Sequence, residues 1–309
     1  LKTITLNYPW DKELTDKSVV LAVGFFDGVH RGHQKLINDA KAIALEKNIP
    51  LMVMTFNHHP QELFSKNKIS YITTNEEKAL EMEKLGVDYL VIINFTREFS
   101  QLSPQEYVDN VLLKLKVDTV VAGFDYTYGP DKSVDNVQNL PKFAKGKFKV
   151  KVEPKQTFYG EKIGSTSIRQ AIKNGNFPLV KKLLGYPYKI SGEIVHGYRR
   201  GHQLGFPTAN LKINPIKALP KEGVYATRVK IDNKWYEAMT NVGYNDTFDN
   251  KELTIEANLF DFSEEAYGKQ MTIEWYKFMR GEIKFDSLDG LIDQMKRDEQ
   301  DIKDYFQDN

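Results

Sequence analysis

The 309-residue chain contains no cysteine. That absence excludes disulfides, thiolate nucleophiles, zinc knuckles and iron–sulfur clusters, and nothing argues for secretion. An excess of either charge is missing too. The 43 basic and 42 acidic residues leave a net charge of +1, so no global field draws the protein to nucleic acid or an anionic membrane. Long hydrophobic runs are also lacking. The opening LKTITLNYPWDKELTD has no basic segment followed by an apolar core, and no stretch reaches the roughly 20 residues of a membrane span. These absences predict a cytoplasmic protein that acts on small molecules, without nucleic-acid or membrane partners, and they leave its oligomeric state open.

What is present falls into two rhythms, and the length suffices for two ordinary domains. Between about residues 18 and 185, apolar runs (VVLAV, LMVMTF, DYLVIIN, DTVVAG) alternate with amphipathic stretches such as EEKALEMEKL and SPQEYVDNVLLKL. Such alternation predicts a doubly wound parallel α/β sheet. Beyond residue 186, short strand candidates (YKISGEIV, GVYATRVKI, KWYEAMTNV, LTIEANLF, MTIEWYKF) separated by Gly, Asn and Asp predict an antiparallel β-barrel. A final helix, with Leu288, Leu291, Ile292 and Met295 at helical spacing, is expected to pack on the barrel's outside. The domains are therefore placed at 1–185 and 186–309, with the boundary near Gly185 to Pro187.

The most chemically loaded segment is GFFDGVHRGHQ, Gly24 to Gln34. It lies between VVLAV and a helix expected from Leu36, Ile37, Ala40, Ala44 and Leu45, which makes it a strand-to-helix turn. Ligands of open parallel sheets bind at such turns, because first-turn N–H groups are unpaired and the helix dipole places about half a positive charge there. Gly24, Gly28 and Gly32 let the backbone bend close to a phosphate, and His30 and His33 can face the same anion. A metal site is the rival reading, but the i, i+3 histidine pair has no evident third ligand. The pattern resembles the HxGH signature of nucleotidyltransferases. Later segments of this half, NHHP, FDYTYGPDKSVDN and STSIRQAIKNGN, also follow predicted strands and can converge on the same cleft. In the last of them Ser165 or Thr166 can cap a helix, with Ser167 and Arg169 in its first turn, where hydroxyl, guanidinium and N–H groups hold phosphate oxygens.

In the second half, GEIVHGYRRGHQLGFPTANL concentrates Gly, Arg and His in a loop leading to PTAN. Thr208 and Asn210, an i, i+2 pair, put a hydroxyl and an amide oxygen on one strand face, a donor set suited to Mg²⁺ when substrate phosphates complete its shell. Glu256 alternates with Ile255 and Ala257 and so faces away from them; alone, it reads equally as an exposed strand glutamate.

GFFDGVHRGHQ, AGFDYTYG and STSIRQAI, in this order and followed by GFPTAN and a barrel, resemble the bacterial bifunctional riboflavin kinase/FAD synthetases over nearly the whole chain. The resemblance implies ATP-dependent phosphorylation of riboflavin to FMN in the second domain. It implies adenylylation of FMN to FAD, with pyrophosphate release, in the first. ATP would be co-substrate, Mg²⁺ the cofactor, and FMN and FAD the products. His30 and His33 would grip the ATP phosphates with Gly24, Phe26, Gly28 and Gly32 around them, and Ser167 and Arg169 would assist. Gly201 and His202 would contact phosphate in the kinase loop, Asp125 and Arg280 would shape flavin sites, and Glu256 would be the kinase base. Aromatics available for flavin stacking are Phe56, Phe124, Tyr126 and Tyr128 in the first half and Phe206 and Tyr244 in the second.

The chain departs from the family pattern at His58 (usually Pro), Ser133 (where a Gly is expected nearby), His202 (usually Arg) and Asp246 (where a Pro often precedes Thr247). These positions bear on affinity and loop geometry more than on reaction type. Alternatives are that only one activity is retained, or that the chain is a flavin-binding regulator without turnover. An aminoacyl-tRNA synthetase-like reading of HxGH is disfavoured by the neutral charge and the lack of a KMSKS-type segment.

Overall fold

A computed structural model describes residues 1–65, 68–155, 157–158, 161–196, 208–246 and 251–308. Two compact units result, Leu1–Ser165 and Thr166–Asn309.

The first unit is built on a parallel sheet. Its strands are β1 (Lys2–Asn7), β2 (Val19–Val23), β3 (Leu51–Phe56), β4 (Tyr89–Asn94), β5 (Val117–Gly123) and β6 (Lys149–Glu153). They lie in the order β1-β4-β3-β2-β5-β6, with every pairing parallel. All five residues of β2 are buried, as a central strand covered on both faces requires. On one face, helices α1 (Arg31–Lys47) and α2 (Asn75–Lys84) bury Leu36, Ile37, Ala40, Ala44 and Met82 against Val20, Ala22 and Val53. Leu45, expected on that stripe, is 72% exposed; its position rotates it to solvent. The other face packs Trp10, Phe99, Tyr107 and Phe148 against Val19, Leu21 and Met54, and carries the short helices α3 (Arg97–Ser100), α4 (Pro104–Tyr107) and α5 (Leu140–Ala144). Edge strand β1 was not anticipated from the sequence. After β6 comes a small hairpin, β7 (Thr157–Phe158) and β8 (Glu161–Lys162).

Helix α6 (Ser165–Lys173) begins at the last residue of this unit, so the division leaves the rest of it, and α7 (Phe177–Leu184), in the second. There Phe177 stacks on Tyr188 and Trp275 at 6.1 and 5.4 Å between centroids, docking α7 to a closed barrel. The barrel strands are β9 (Tyr188–Val195), β10 (Thr208–Leu211), β11 (Gly223–Ile231), β12 (Lys234–Asp246), β13 (Lys251–Leu259) and β14 (Gln270–Arg280), in the order β10-β13-β12-β11-β14-β9. Helix α8 (Leu288–Gln307) lies on the barrel as expected, but through Ile302 and Phe306, with Met295 partly buried. Its first apolar residue, Leu288, is 59% exposed.

Candidate active sites

Strand order decides where the first site sits. From β2 the chain passes to β3 on one side, and β5 lies on the other, so the crevice beyond the carboxyl ends of β2 and β5 is the sheet's switch point. GFFDGVH follows β2 and FDYTYG follows β5. A cavity of about 230 Å³ opens there, lined by His30, Gly32, His33, Gly123, Phe124, Asp125 and Ser165, among others.

The turn into α1 is tightly wound. Phe26, Gly28 and Val29 all have positive φ, of 55°, 79° and 36°. A Cβ at Gly28 would stand 2.9 Å from Ile72 Cγ2, so both backbone conformation and space demand glycine. Asp27, 2% exposed, accepts hydrogen bonds at Oδ1 from the backbone N–H groups of Ile72 and Thr73 (2.9 and 3.2 Å), while Gly28 N–H donates to Thr73 Oγ1 (2.9 Å). The Ser165 hydroxyl, at the start of α6, donates to the Asp27 carbonyl (3.0 Å).

His30 is the N-cap of α1; its Nδ1 accepts the His33 N–H at 3.3 Å. The two imidazoles stack with centroids 3.5 Å apart, and Phe26 meets His33 edge-on at 5.2 Å. Burial, then the facing His30, then the Lys78 ammonium hold the His33 pKa well below its ordinary value. His33 is thus neutral at pH 7, with Nδ1 buried and without a hydrogen-bond partner among the described residues. The pair does not present two fixed positive charges.

Two residues of this site were missed. Lys78, on α2, is 1% exposed and reaches the turn from below. Its spacing four residues before Met82 places it on the buried face of α2, and a lysine on an apolar stripe was the available signal. Glu153, 6% exposed at the end of β6, also lines the cavity and lies 2.8 Å from Lys151 Nζ. Of the aromatic candidates, Phe56 and Tyr128 are core, Tyr128 stacking on Tyr107 at 4.9 Å, and Tyr126 hydrogen-bonds Tyr107. Phe124, 37% exposed, faces the cavity.

Ser167 and Arg169 lie on α6 in the second unit, with Arg169 Nη2 3.4 Å from Thr166 Oγ1. In the barrel the strand register assembles another group. Asn210 pairs with Glu256 across β10 and β13, Asn241 pairs with Glu256 across β12 and β13, and Thr208 pairs with Asn258. Directly paired residues share a face, and so do residues two apart, so Thr208, Asn210, Glu256 and Asn241 all lie on the outer face. Ile255 and Ala257, alternating with Glu256, are fully buried inside the barrel. Asn241 was missed. Its Oδ1 is buried and unpartnered among the described residues. Three or more His, Cys, Asp or Glu residues grouped to hold a metal do not occur among the described residues, so any cation here would rely on hydroxyl and amide oxygens.

Arg280 is spoken for: its guanidinium clasps Asp298 of α8 through Nε (3.0 Å to both oxygens) and Nη2 (2.6 Å), and Nη1 donates to the Gly281 carbonyl. Tyr244 is 48% exposed on β12. Gly201, His202, Phe206, Pro207 and Thr247 lie outside the described residues.

Residues 12–167 match the FAD synthetase family and residues 184–306 match the riboflavin kinase family. The chain belongs to the bifunctional riboflavin kinase/FMN adenylyltransferases. It is 46% identical to the bifunctional riboflavin kinase/FMN adenylyltransferase of Listeria monocytogenes, covering 99% of this chain and 98% of that one. Against the Bacillus subtilis enzyme of the same name it is 41% identical, again over 99% and 98%. A solved structure from Streptococcus pneumoniae, described as a macrolide-efflux protein, superposes with a TM-score of 0.91 at 35% identity, over 98% of this chain and 99% of that one. No helix among the described residues is long and apolar enough to cross a membrane. The kinase domain follows the FAD synthetase domain, as the order of motifs predicts, and the chain phosphorylates riboflavin and adenylylates FMN, with ATP as co-substrate of both reactions.

Proposed function

We propose that the two reactions use the two side-chain groups described above, with opposite chemical logic. The observation that carries this reading is the barrel register, which sets Glu256 between Asn210 and Asn241 and beside the Thr208 position on one face. Riboflavin offers a primary alcohol, which needs a proton acceptor as it attacks the terminal phosphoryl group of ATP; Glu256 accepts that proton. Thr208 and Asn210 fit Mg²⁺, an oxygen-seeking cation that keeps few protein ligands, and the unpartnered Asn241 oxygen supports a cation on this face. When bound, Mg²⁺ neutralises charge on the phosphates. Gly201 and His202 complete the phosphate contacts from the loop before PTAN.

In the first unit His30 and His33, with the N–H groups opening α1, hold the ATP phosphates, and Gly24, Phe26, Gly28 and Gly32 shape the turn that presents them. The FMN phosphate is already ionised near neutrality, so it attacks the α-phosphorus without a base, and pyrophosphate leaves. Because His33 starts neutral, an arriving polyphosphate favours its protonation, and the proton adds charge where the leaving group develops it. Asp125 and Phe124 border the same cavity and serve the flavin end. Ser167 and Arg169 assist, and the functional domains are read as 1–185 and 186–309. Both reactions draw on ATP, which supports a cytoplasmic setting, and the near-zero net charge supports small molecules as the partners.

Glu256→Gln tests the assignment. Supplied with riboflavin, ATP and Mg²⁺, the variant should leave riboflavin unphosphorylated, with the kinase rate at least about 10²-fold down; supplied with FMN, it should still make FAD. Full kinase activity would remove Glu256 from its role.

A further inference from the structure

The charge hardest to explain in the first unit is Lys78. Its side chain is 1% exposed, yet its ammonium hydrogen-bonds neutral oxygens. Nζ donates to the Phe25 carbonyl (2.8 Å) and Thr55 Oγ1 (3.1 Å) and sits 4.5 Å from the centre of the Phe25 ring. Two neutral acceptors and a ring face are thin compensation for a buried ammonium, which ordinarily pairs with an anion or loses its proton. A structural task does not account for it. The Phe25 carbonyl already accepts the Thr55 hydroxyl at 2.7 Å, so without the lysine that oxygen would still be satisfied.

Its surroundings show what the charge faces. From the turn comes Asp27, whose carboxylate favours the charged lysine but is engaged by two backbone N–H groups. From α1 comes His33, which the Lys78 charge helps to keep neutral. From the segment before α2 come Tyr71 and His59, both packed on the Phe25 ring, with the Tyr71 hydroxyl pushed further up by burial. From β3 comes the uncharged Thr55. The cation therefore sits beneath the GFFDGVH turn, bound to the residue before the left-handed Phe26, whose ring meets His33.

We propose that Lys78 is a buried counter-charge for the polyphosphate held at the start of α1, a positioning residue that acts through the Phe25–Phe26 peptide and through space without touching the ligand. This rests on the reading that His30 and His33 hold the ATP phosphates. Burial has already brought the ammonium down to about 8, so it is mostly charged at pH 7 with little margin. An anion in the site makes up the missing partner, and the coupling is reciprocal: charged Lys78 favours ATP, and ATP favours charged Lys78.

Lys78→Met separates this from a packing role. The variant should raise the KM for ATP in FMN adenylylation at least about tenfold, the effect of one unit of coupled pKa change. It should flatten the loss of ATP affinity expected above pH 8 in the unsubstituted protein, and leave riboflavin phosphorylation by the same chain unchanged. Its thermal unfolding temperature should hold or rise; a drop, or an unaltered ATP KM and pH profile, overturns the inference. Lys78→Arg should recover most of the ATP affinity. In the unsubstituted protein, the Lys78 side-chain carbon resonance, assigned by its loss in the Arg variant, should titrate higher when a non-hydrolysable ATP analogue is added. An unmoved titration overturns the inference however the variants behave. If replacing His30 and His33 leaves adenylylation intact, the phosphate-site reading fails and takes this inference with it. If that replacement abolishes adenylylation while Lys78→Met is silent, only Lys78 is exonerated.

Discussion

The two proposed sites would handle the same co-substrate with almost no chemistry in common. The sheet unit offers two stacked imidazoles, a helix N-terminus and a buried lysine; the barrel unit offers a glutamate, a threonine and two asparagines in strand register. The nucleophile explains the difference. A phosphate monoester is a ready anion, and its reaction with ATP is limited by the repulsion of negative charges, so the protein supplies positive charge and positioning. An alcohol is a poor nucleophile, so the protein must supply a base.

The sharpest way to break this comparison is to exchange the losses. Replacing His30 and His33 together by Ala should cut FMN adenylylation by about 10²-fold or more while leaving riboflavin phosphorylation intact, the mirror of the Glu256→Gln outcome. If one variant lowers both rates from separately supplied substrates, the sites are not independent. A middling effect is expected at Arg280. Arg280→Met leaves the Asp298 carboxylate, 3% exposed, with Gln294 as its remaining hydrogen-bond partner among the described residues, and should cost the barrel unit about 3 kcal/mol, read as an earlier unfolding transition. A rise in riboflavin KM at temperatures well below that transition would instead show that Arg280 reaches the flavin. The smallest effect is a pH difference between the units. Since the folded pKa of His33 lies below its unfolded value, the unfolded chain takes up the proton first. The sheet unit should therefore lose stability as the pH falls below about 6.5, and a His33→Gln variant should lose that slope. Persistence of the slope in the variant would assign it to another group.

Legibility in the sequence followed periodicity. Strands β2 to β5 and most barrel strands were readable because apolar runs and alternation report directly on burial, and the face occupied by Glu256 followed from parity alone. Edge strand β1 was not, since KTITLN is mostly exposed and its pairing with β4 is a long-range event. The α8 contact was misjudged because its apolar residues spread along the helix, and docking selected the Ile302 and Phe306 end, where the Arg280 clasp on Asp298 holds it. Lys78 left a signal that was passed over, a lysine on the buried stripe of α2, and Asn241 left none. Asn241 is a polar residue whose meaning lies in the hydrogen bond its oxygen lacks among the described residues, and that has no signature in one dimension.

The pairing of Asn210, Glu256 and Asn241 carries one more consequence. In a strand, a shift of a single residue exchanges its two faces. One residue inserted in β13 ahead of Glu256 would turn the carboxylate toward the closed interior and put Ile255 or its substitute outside, so the catalytic assignment and the barrel's oil-drop would fail in the same stroke. On the proposed role of Glu256, kinase chemistry is tied to an even-odd rule of the backbone: side chains on this face can change one at a time, but a change in the length of the strand between its ends surrenders both.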